Sequence, residues 1–277
     1  MGEYTRAELL KELLARFKRD SVRYSAMEVP DEPESQRAAL RSLMNIRMPR
    51  PLDAQTLRLQ DEYLSLRARE KGVVALADIP TIAAQYGSDA PFADVISLWQ
   101  GDITRLAVDA IVNAANSQML GCFVPMHSCI DNCIHTFAGV QLRAACARQM
   151  EALRAEHGED YEQPTAVPML TDAYNLPAKK VIHVVGPIVS GALNEALERE
   201  LTACYVNTLE LCRENGLRSV AFCCISTGVF RFPADRAAAL AVRAVRAWLA
   251  GHPDAMDRVV FNVFRDEDRL IYERLLR

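Results

Sequence analysis

From residue 94 onward, short apolar segments alternate with helical ones, and this alternation limits the possible folds more than any other feature of the chain. The predicted strands are residues 95–99, 110–112, 166–170, 181–185, 219–225 and 259–264. The predicted helices are residues 132–150, 194–215, 233–250 and 267–276. Nearly continuous apolar runs are typical of strands buried on both faces. The pattern therefore predicts an α/β fold in which helices cover both sides of a mostly parallel or mixed sheet.

The stretch before this region has helical periodicity from about residue 5 to residue 71. One apolar stripe lies within residues 9–17 and another within residues 57–66. Such stripes indicate helices that pack on the rest of the protein's core domain rather than a floating tail. We therefore predict a helical N-terminal extension at residues 1–88 and an α/β domain at residues 89–277.

Polar segments come directly after several predicted strands. They are residues 101–104, 113–116 and 226–230. In α/β sheets of this kind, ligands bind in the crevice at the carboxyl ends of the strands. We therefore expect the three segments to converge on one cleft.

Three potential metal ligands lie within eight residues, in the pattern Cys-x4-His-x-Cys. Cys122, His127 and Cys129 are close enough for one loop to surround a zinc ion tetrahedrally. Structural zinc usually has four protein ligands and catalytic zinc keeps one position open, so three ligands favour a functional site. The alternative is coincidence, because the chain has eight cysteines and free cysteine often behaves as a small buried hydrophobe. Cys133 and His135, two apart on a predicted helix, point in different directions and are expected to be structural.

The overall charge of the chain limits the classes of partner that it can bind. A net charge of −4 and a pI near 5.8 provide no basic surface for nucleic acid or an acidic membrane. No apolar run approaches the roughly 18 residues of a membrane span, and the N-terminus does not have the pattern of a secretory signal. We therefore expect a cytoplasmic protein without nucleic-acid or membrane partners, whose cysteines stay reduced.

Five stretches, in order along the chain, resemble the macrodomain family, whose members have an ADP-ribose-binding α/β/α fold. The stretches are Gly101-Asp-Ile-Thr104, Asp109-Ala-Ile-Val-Asn-Ala-Ala-Asn116, Ile130-Asp-Asn-Cys-Ile-His-Thr-Phe-Ala-Gly139, Val181-Ile-His-Val-Val-Gly-Pro187 and Ile225-Ser-Thr-Gly-Val-Phe230. The Cys-x4-His-x-Cys insert makes the chain similar to the zinc-containing macrodomains in particular. This resemblance implies a three-layer α/β/α domain with a mixed sheet, preceded by a helical extension.

The same resemblance implies a zinc-dependent hydrolase that removes mono-ADP-ribose from protein side chains, with acidic, ester-linked side chains as the expected substrates. It also implies association with a sirtuin-type ADP-ribosyltransferase and a lipoate-carrier protein. Two alternatives stay open: a non-catalytic reader of ADP-ribose with a structural zinc, and a partner-binding domain in which zinc serves only as a staple.

The adenine and phosphate contacts follow from the resemblance. Asp102 is expected to accept a hydrogen bond from the adenine amine and the Ile103 amide to donate to the ring. The alternative is that Asp102 only caps a turn. Successive backbone amides around a glycine bind a diphosphate without Lys or Arg. The residues expected to supply them are Ser226, Thr227, Gly228, Val229 and Phe230.

Asn116 and Asp131 are the expected catalytic residues. The resemblance implies that Asn116 binds a ribose hydroxyl and that Asp131 acts as general base or orients the attacking water. The alternative for Asp131 is a helix N-cap, a position that favours Asp. Phe232 or Phe264 is a candidate for stacking on ribose or adenine, although such aromatic residues often belong to the core. At position 231 the chain has Arg where zinc-free relatives often have glycine.

Overall fold

The computed structural model describes residues 5–277, so the first four residues of the predicted extension lie outside it. The α-helices in this range are α1 (Arg6–Asp20), α2 (Pro33–Ile46), α3 (Ala54–Lys71), α4 (Ile82–Tyr86), α5 (Ile130–Ala138), α6 (Val140–His157), α7 (Glu195–Glu214), α8 (Ala234–Gly251) and α9 (Asp266–Leu276). The β-strands are β1 (Val74–Ala75), β2 (Ile96–Gln100), β3 (Leu106–Ala107), β4 (Ala110–Ala115), β5 (Met169–Asp172), β6 (Lys180–Val185), β7 (Ser219–Phe222) and β8 (Arg258–Val263).

The main sheet has six strands in the order β2-β8-β7-β4-β6-β5. All neighbouring pairs are parallel except β5 and β6, which are antiparallel. The central strands are nearly all apolar because helices cover both of their faces. The predicted α/β fold with a mixed sheet is confirmed.

Two aromatic side chains of this sheet lie on one of its faces, and two buried polar side chains lie on the other. On one face, Phe222 lies 4.9 Å from the Tyr205 ring of α7, and Phe261 lies 5.1 Å from the Tyr272 ring of α9. Successive strand residues point to opposite faces. Asn113 and His183, which are paired in register, therefore point to the other face, towards α5 and α6.

The predicted helix at residues 132–150 is wrong in one respect, because the structure has two helices there, α5 and α6. The break is Gly139, whose φ of 96° is in the region that favours glycine. A Cβ at this position would lie 2.7 Å from the Gln60 and Gln141 side chains. The break gives α5 a direction of its own, and α5 carries Asp131.

Two predicted strands are longer than the observed ones. The strand predicted at residues 166–170 begins only at Met169, because a turn precedes it: Ala166 has a left-handed φ of 63°, and the Val167 amide donates to the Pro164 carbonyl at 3.2 Å. The strand predicted at residues 219–225 ends at Phe222. Three apolar residues then lead from the sheet into the polar segment at 226–230.

The helices of the extension have their own hydrophobic cluster, separate from the core of the α/β domain. It contains Leu13 and Phe17 of α1, Leu40 of α2 and Tyr63 of α3. The apolar stripe of α1 is therefore buried, but mainly against α2 and α3 of the extension rather than on the α/β domain as predicted. Helices α2 and α3 in turn contact α5 of that domain. Ile82 of α4 belongs instead to the larger core that surrounds the sheet. Within residues 5–277, no helix is both long enough and apolar enough to cross a membrane.

Candidate functional site

The polar segments converge where the parallel strands end. Strands β2, β8, β7 and β4 are neighbours in the sheet and run in the same direction. Asp102 follows β2, Asn116 follows β4 and residues 226–230 follow β7. The carboxyl edge of the sheet therefore brings these segments to one side of the domain, which is the usual ligand side of such a fold.

Asp102 lies at the start of a short 3-10 helix, Ile103–Arg105, and caps it. Its Oδ1 accepts hydrogen bonds from the Thr104 amide at 3.0 Å and the Thr104 hydroxyl at 2.6 Å. Its Oδ2 lies 2.5 Å from Nζ of Lys71, the last residue of α3. Burial raises the pKa of Asp102, but Lys71 and Thr104 outweigh burial and hold it below its usual value. Asp102 therefore does cap this turn, and its ion pair with Lys71 of the extension keeps its carboxylate charged.

The side chain of Ile103 is an anchor in the core, with 1% of its surface exposed. Its backbone N–H has no acceptor among residues 5–277. The amide is therefore left available for a ligand next to Asp102.

The segment at residues 226–230 forms a compact turn. The Phe232 amide donates to the Ser226 carbonyl at 3.0 Å, and the Arg231 amide donates to the Gly228 carbonyl at 3.1 Å. By contrast, the backbone N–H groups of residues 226–230 have no acceptor within the described part of the chain. Consecutive unpaired amides around a turn form a concavity that attracts an anion.

Two residues of this turn have left-handed backbone conformations. Ser226 has a φ of 66° and Arg231 a φ of 61°. This conformation costs a residue other than glycine roughly 1–2 kcal/mol. The turn is therefore strained at Ser226 and at Arg231.

Asp131 is held by two asparagine side chains. Asn113 Nδ2 donates to Oδ1 of Asp131 at 2.8 Å, and Asn116 Nδ2 donates to Oδ2 at 3.2 Å. The N-cap interpretation of Asp131 is wrong, because α5 is capped by Cys129, whose sulfur accepts from the Asn132 amide. Asp131 is 5% exposed. Burial raises its pKa to about 6, although both asparagines and the nearby Arg143 favour the charged form.

The hydrogen bonds of Asn113 determine which ring nitrogen of His183 carries the proton. The Asn113 Nδ2 group has two hydrogens, and its two partners are Asp131 Oδ1 and, at 3.1 Å, His183 Nδ1. His183 Nδ1 is therefore the acceptor, and its proton is on Nε2, 3.0 Å from the Thr171 hydroxyl. Burial lowers the pKa of His183 to about 3, so the ring is neutral. A buried chain of Thr171, His183 and Asn113 thus ends on the Asp131 carboxylate.

The three predicted metal ligands lie together in the loop before α5. The sulfur atoms of Cys122 and Cys129 and a ring nitrogen of His127 all lie within 4.8 Å of one another. Cys122 Sγ is 3.5 Å from His127 Nδ1. Tetrahedral zinc with ordinary Zn–S and Zn–N lengths separates such atoms by about 3.6 Å. The donor atoms and their spacing therefore fit a zinc ion.

A second group of potential ligands lies in the interior: His135, Cys146 and His183. His183 hydrogen-bonds Asn113 through one ring nitrogen and Thr171 through the other. An ion here would have to replace one of these bonds, so this group fits a metal less well than the loop does.

The two candidate stacking residues differ in exposure. Phe232 is 2% exposed and belongs to the core, whereas Phe264, directly after β8, is 74% exposed. Strand β8 lies between β2 and β7, so Phe264 is at the same edge of the sheet as Asp102 and residues 226–230. Only Phe264 is placed to contact a ligand.

Sequence reasoning missed several residues around this site. Lys71 contacts Asp102, and Asn113 contacts Asp131. Arg41, Asn45 and Arg143 contact the loop at residues 120–129, which we call the metal loop. Asn113 could have been identified from the sequence, because it is the first residue of the polar segment that ends at Asn116. The others lie on helices whose placement depends on tertiary packing.

Comparisons with known proteins agree with this arrangement. The Macro domain model matches residues 112–241. A protein of Treponema medium named protein-ADP-ribose hydrolase is 48% identical over 258 residues, covering 93% of this chain and 94% of that protein. A protein of Fusarium oxysporum f. sp. cubense, named probable bifunctional ADP-ribose hydrolase/ADP-ribosyltransferase, is 40% identical, covering 88% of this chain and 42% of that protein.

Solved structures give the same result. The Trypanosoma brucei macrodomain in complex with ADP-ribose matches with a TM-score of 0.64 and 28% identity, covering 89% of this chain and 96% of that one. Since the Macro domain model matches residues 112–241, the Treponema relative is similar over nearly its whole length and a solved macrodomain is similar over 89% of this chain, the chain belongs to the macrodomain family.

Proposed function

We propose that this protein is a zinc-dependent hydrolase that removes mono-ADP-ribose from acidic side chains of modified proteins. The observation that carries the proposal is Asp131, a buried carboxylate oriented by two amides, two residues after the last member of the Cys122–His127–Cys129 group. A module that only binds ADP-ribose needs no carboxylate there. The printed name of the Treponema relative supports the same activity.

The substrate contacts that we propose follow the carboxyl edge of the sheet. Asp102, with the Ile103 amide, would bind adenine, and Phe264 would stack on adenine or its ribose. The free amides of residues 226–230 would bind the diphosphate, which suits a chain of net negative charge. The ADP-ribose complex of the Trypanosoma brucei relative supports a ligand of this class.

In the proposed mechanism, Asn116 binds a hydroxyl of the distal ribose and Asp131 acts on the attacking water. Asp131 would accept the water's proton or orient the water towards the anomeric carbon, which requires a carboxylate within hydrogen-bond reach. As the water's oxygen bonds to that carbon, the bond from the carbon to the ester oxygen breaks and the side chain leaves as a carboxylate. Asn113 and Asn116 hold both carboxylate oxygens, so Asp131 is already oriented before a substrate binds. General-base assistance of this kind is typically worth about 10²–10⁴-fold in rate.

The metal loop would hold zinc through two thiolates and one neutral imidazole. A bound zinc ion would supply positive charge that polarises the distal ribose. It would be a milder Lewis acid than zinc held by three histidines, because the two thiolates cancel its charge. Cys122, His127 and Cys129 would each contribute one ligand atom, and three protein ligands are the number typical of catalytic zinc.

Release of ADP-ribose from a mono-ADP-ribosylated protein tests the proposal directly. The full chain should release ADP-ribose from a substrate modified on glutamate or aspartate. A substrate modified on arginine, which has no ester, is the matched comparison. Tight ADP-ribose binding without turnover on either substrate would favour the reader alternative instead.

The proposed partners are the modified protein, a sirtuin-type ADP-ribosyltransferase and a lipoate-carrier protein. Support for the transferase comes from the Fusarium relative, whose printed name joins the hydrolase and transferase activities. The carrier protein rests on the resemblance of the sequence motifs alone.

The buried chain that ends on Asp131 gives a prediction for His183. Replacement by Asn keeps an oxygen where Nδ1 accepts from Asn113, whereas replacement by Gln keeps a group only near Nε2, which faces Thr171. A neutral hydrogen bond is worth about 1 kcal/mol, so His183→Gln should lower kcat about fivefold more than His183→Asn. Steady-state turnover of the two variants measures this difference.

His183→Asn removes more volume from the core than His183→Gln does, because Asn is one methylene shorter. A packing defect would therefore act against the predicted order of the two kcat values. Their ADP-ribose affinities, measured by calorimetry, should match. Equal kcat values for the two variants would mean that the Asn113–His183 bond does not position Asp131.

A further inference from the structure

Helix α2 of the extension is hydrogen-bonded to the metal loop, residues 120–129. Arg41 Nη2 donates to the His127 carbonyl and to Asn132 Oδ1, both at 2.8 Å. These partners are 86 and 91 positions away in sequence. A charged donor makes stronger hydrogen bonds than a neutral one. Arg41 therefore holds the backbone of His127 strongly, two residues before Cys129.

The Asn132 side chain connects Arg41 to the rest of the metal loop through hydrogen bonds. It is fully buried, and its Nδ2 donates to the carbonyls of Val124 at 2.9 Å and Cys122 at 3.3 Å. Its oxygen faces Arg41, so its NH₂ group must face the loop. Arg41 therefore determines the orientation of the amide that holds two loop carbonyls, one of them belonging to a predicted metal ligand.

Asn45, one turn further along α2, holds the tip of the loop. Its Oδ1 accepts from the Met126 amide at 3.0 Å, and its Nδ2 donates to the Thr136 hydroxyl at 2.9 Å. Asn45 is 1% exposed. Met126 has a φ of 60°, a strained conformation for a residue other than glycine. The hydrogen bond from Asn45 stabilises this conformation directly before His127.

Arg143 connects the other end of the loop to the same helix. Its Nε donates to the Leu120 carbonyl at 2.6 Å, and its Nη1 donates to the carbonyls of Asn45 at 2.8 Å and Arg47 at 2.6 Å. The side chain is 5% exposed. Both ends of the metal loop are thus bonded, directly or through Arg143, to the C-terminal half of α2.

We propose that Arg41 and Asn45 are positioning residues that hold the metal loop in its ligand-ready conformation, so that the N-terminal extension is part of the zinc site. Buried polar groups are costly unless they are paired, and here the pairing is between α2 and the loop. Ligands that are held in place before the ion arrives bind it with less loss of conformational freedom. The inference rests on the proposed zinc site but does not depend on the proposed reaction.

Zinc affinity of the full chain, measured by competition with a chromophoric chelator, tests this proposal. Arg41→Ala should bind zinc about tenfold or more weakly, since it loses two hydrogen bonds from a charged donor. Asn45→Ala should weaken zinc binding about fivefold, and Arg41→Lys should recover part of the loss because one donor remains. Affinity for ADP, which lacks the distal ribose that the zinc would polarise, should stay within about twofold of the parent, because neither residue contacts the proposed adenine and diphosphate sites.

Arg37→Ala is the matched control. Arg37 lies on α2 one turn before Arg41, and its side chain makes no hydrogen bond or ion pair within residues 5–277. This variant should bind zinc as the parent does.

Parent zinc affinity in folded Arg41→Ala and Asn45→Ala would overturn the proposal. If Arg41→Ala does not fold, Arg41→Lys and Asn45→Ser replace it, and parent affinity in both would overturn the proposal equally. A parent protein that binds no zinc would refute both the zinc site and this inference. A parent that binds zinc but releases no ADP-ribose would refute only the proposed reaction.

Discussion

Replacement of Asp131 by Ala is expected to lower the release of ADP-ribose from a modified acidic side chain by about 10²–10⁴-fold, the usual contribution of a general base. Binding of free ADP-ribose should change little, because Asp102 and the amides of residues 226–230 are untouched. Turnover with a mono-ADP-ribosylated protein and calorimetry with free ADP-ribose measure the two effects separately.

Asp131→Asn is the isosteric control, and its expected outcome follows from the hydrogen bonds. Both oxygens of Asp131 accept from amide nitrogens, those of Asn113 and Asn116. An asparagine has one oxygen, so its own NH₂ group must face one of these donors. We therefore expect loss of turnover here too, with a stability cost of about 1–3 kcal/mol for the unpaired buried group. Turnover within about threefold of the parent in either folded variant would exclude Asp131 as the base.

Removal of zinc is expected to reduce release of ADP-ribose at least about 10²-fold, because an ion that stabilises developing charge contributes several kcal/mol. The purified parent should contain a full equivalent of zinc. Cys122→Ser and Cys129→Ser should lose most of it, since each removes a thiolate ligand. Metal analysis followed by turnover of the same samples measures both effects.

Cys133→Ser is the control for the cysteine substitutions. Cys133 lies four residues after Cys129 but is outside the group of ligand atoms formed by Cys122, His127 and Cys129. This variant should keep its zinc. Full zinc in Cys122→Ser would contradict the ligand assignment. Parent-rate turnover by protein verified to be zinc-free would mean that zinc is structural and that the proposed mechanism is wrong.

The fold of the domain could be predicted because its signals are local. Each buried strand needs apolar residues on both faces, and each helix between strands needs its own apolar stripe, so the alternation is visible in any window of the chain. The errors occurred where a single backbone conformation decides the boundary. Gly139 divides one predicted helix, and Ala166 delays the start of a strand through a left-handed φ that no side-chain pattern reveals.

The candidate site could be predicted in outline for a related reason. Parallel strands end at one edge, so residues that follow different strands, such as Asp102, Asn116 and Ser226, meet there even though they are far apart in sequence. The three metal ligands are local to one loop and needed no tertiary information to be grouped. Their hydrogen-bonded supports were different, because Lys71 and Arg41 lie on helices outside the α/β domain.

The sequence by itself determined the α/β class, the segments at the carboxyl edge and the group of potential metal ligands, because each depends on periodicity or on spacing within a few residues. Only the tertiary structure decided that Lys71 pairs with Asp102, that Arg41 and Asn45 hold the metal loop, and that His183 is linked to Asp131 through Asn113. The physical reason is that a hydrogen bond depends on the distance and direction between two atoms. For groups up to about ninety residues apart, packing alone sets both.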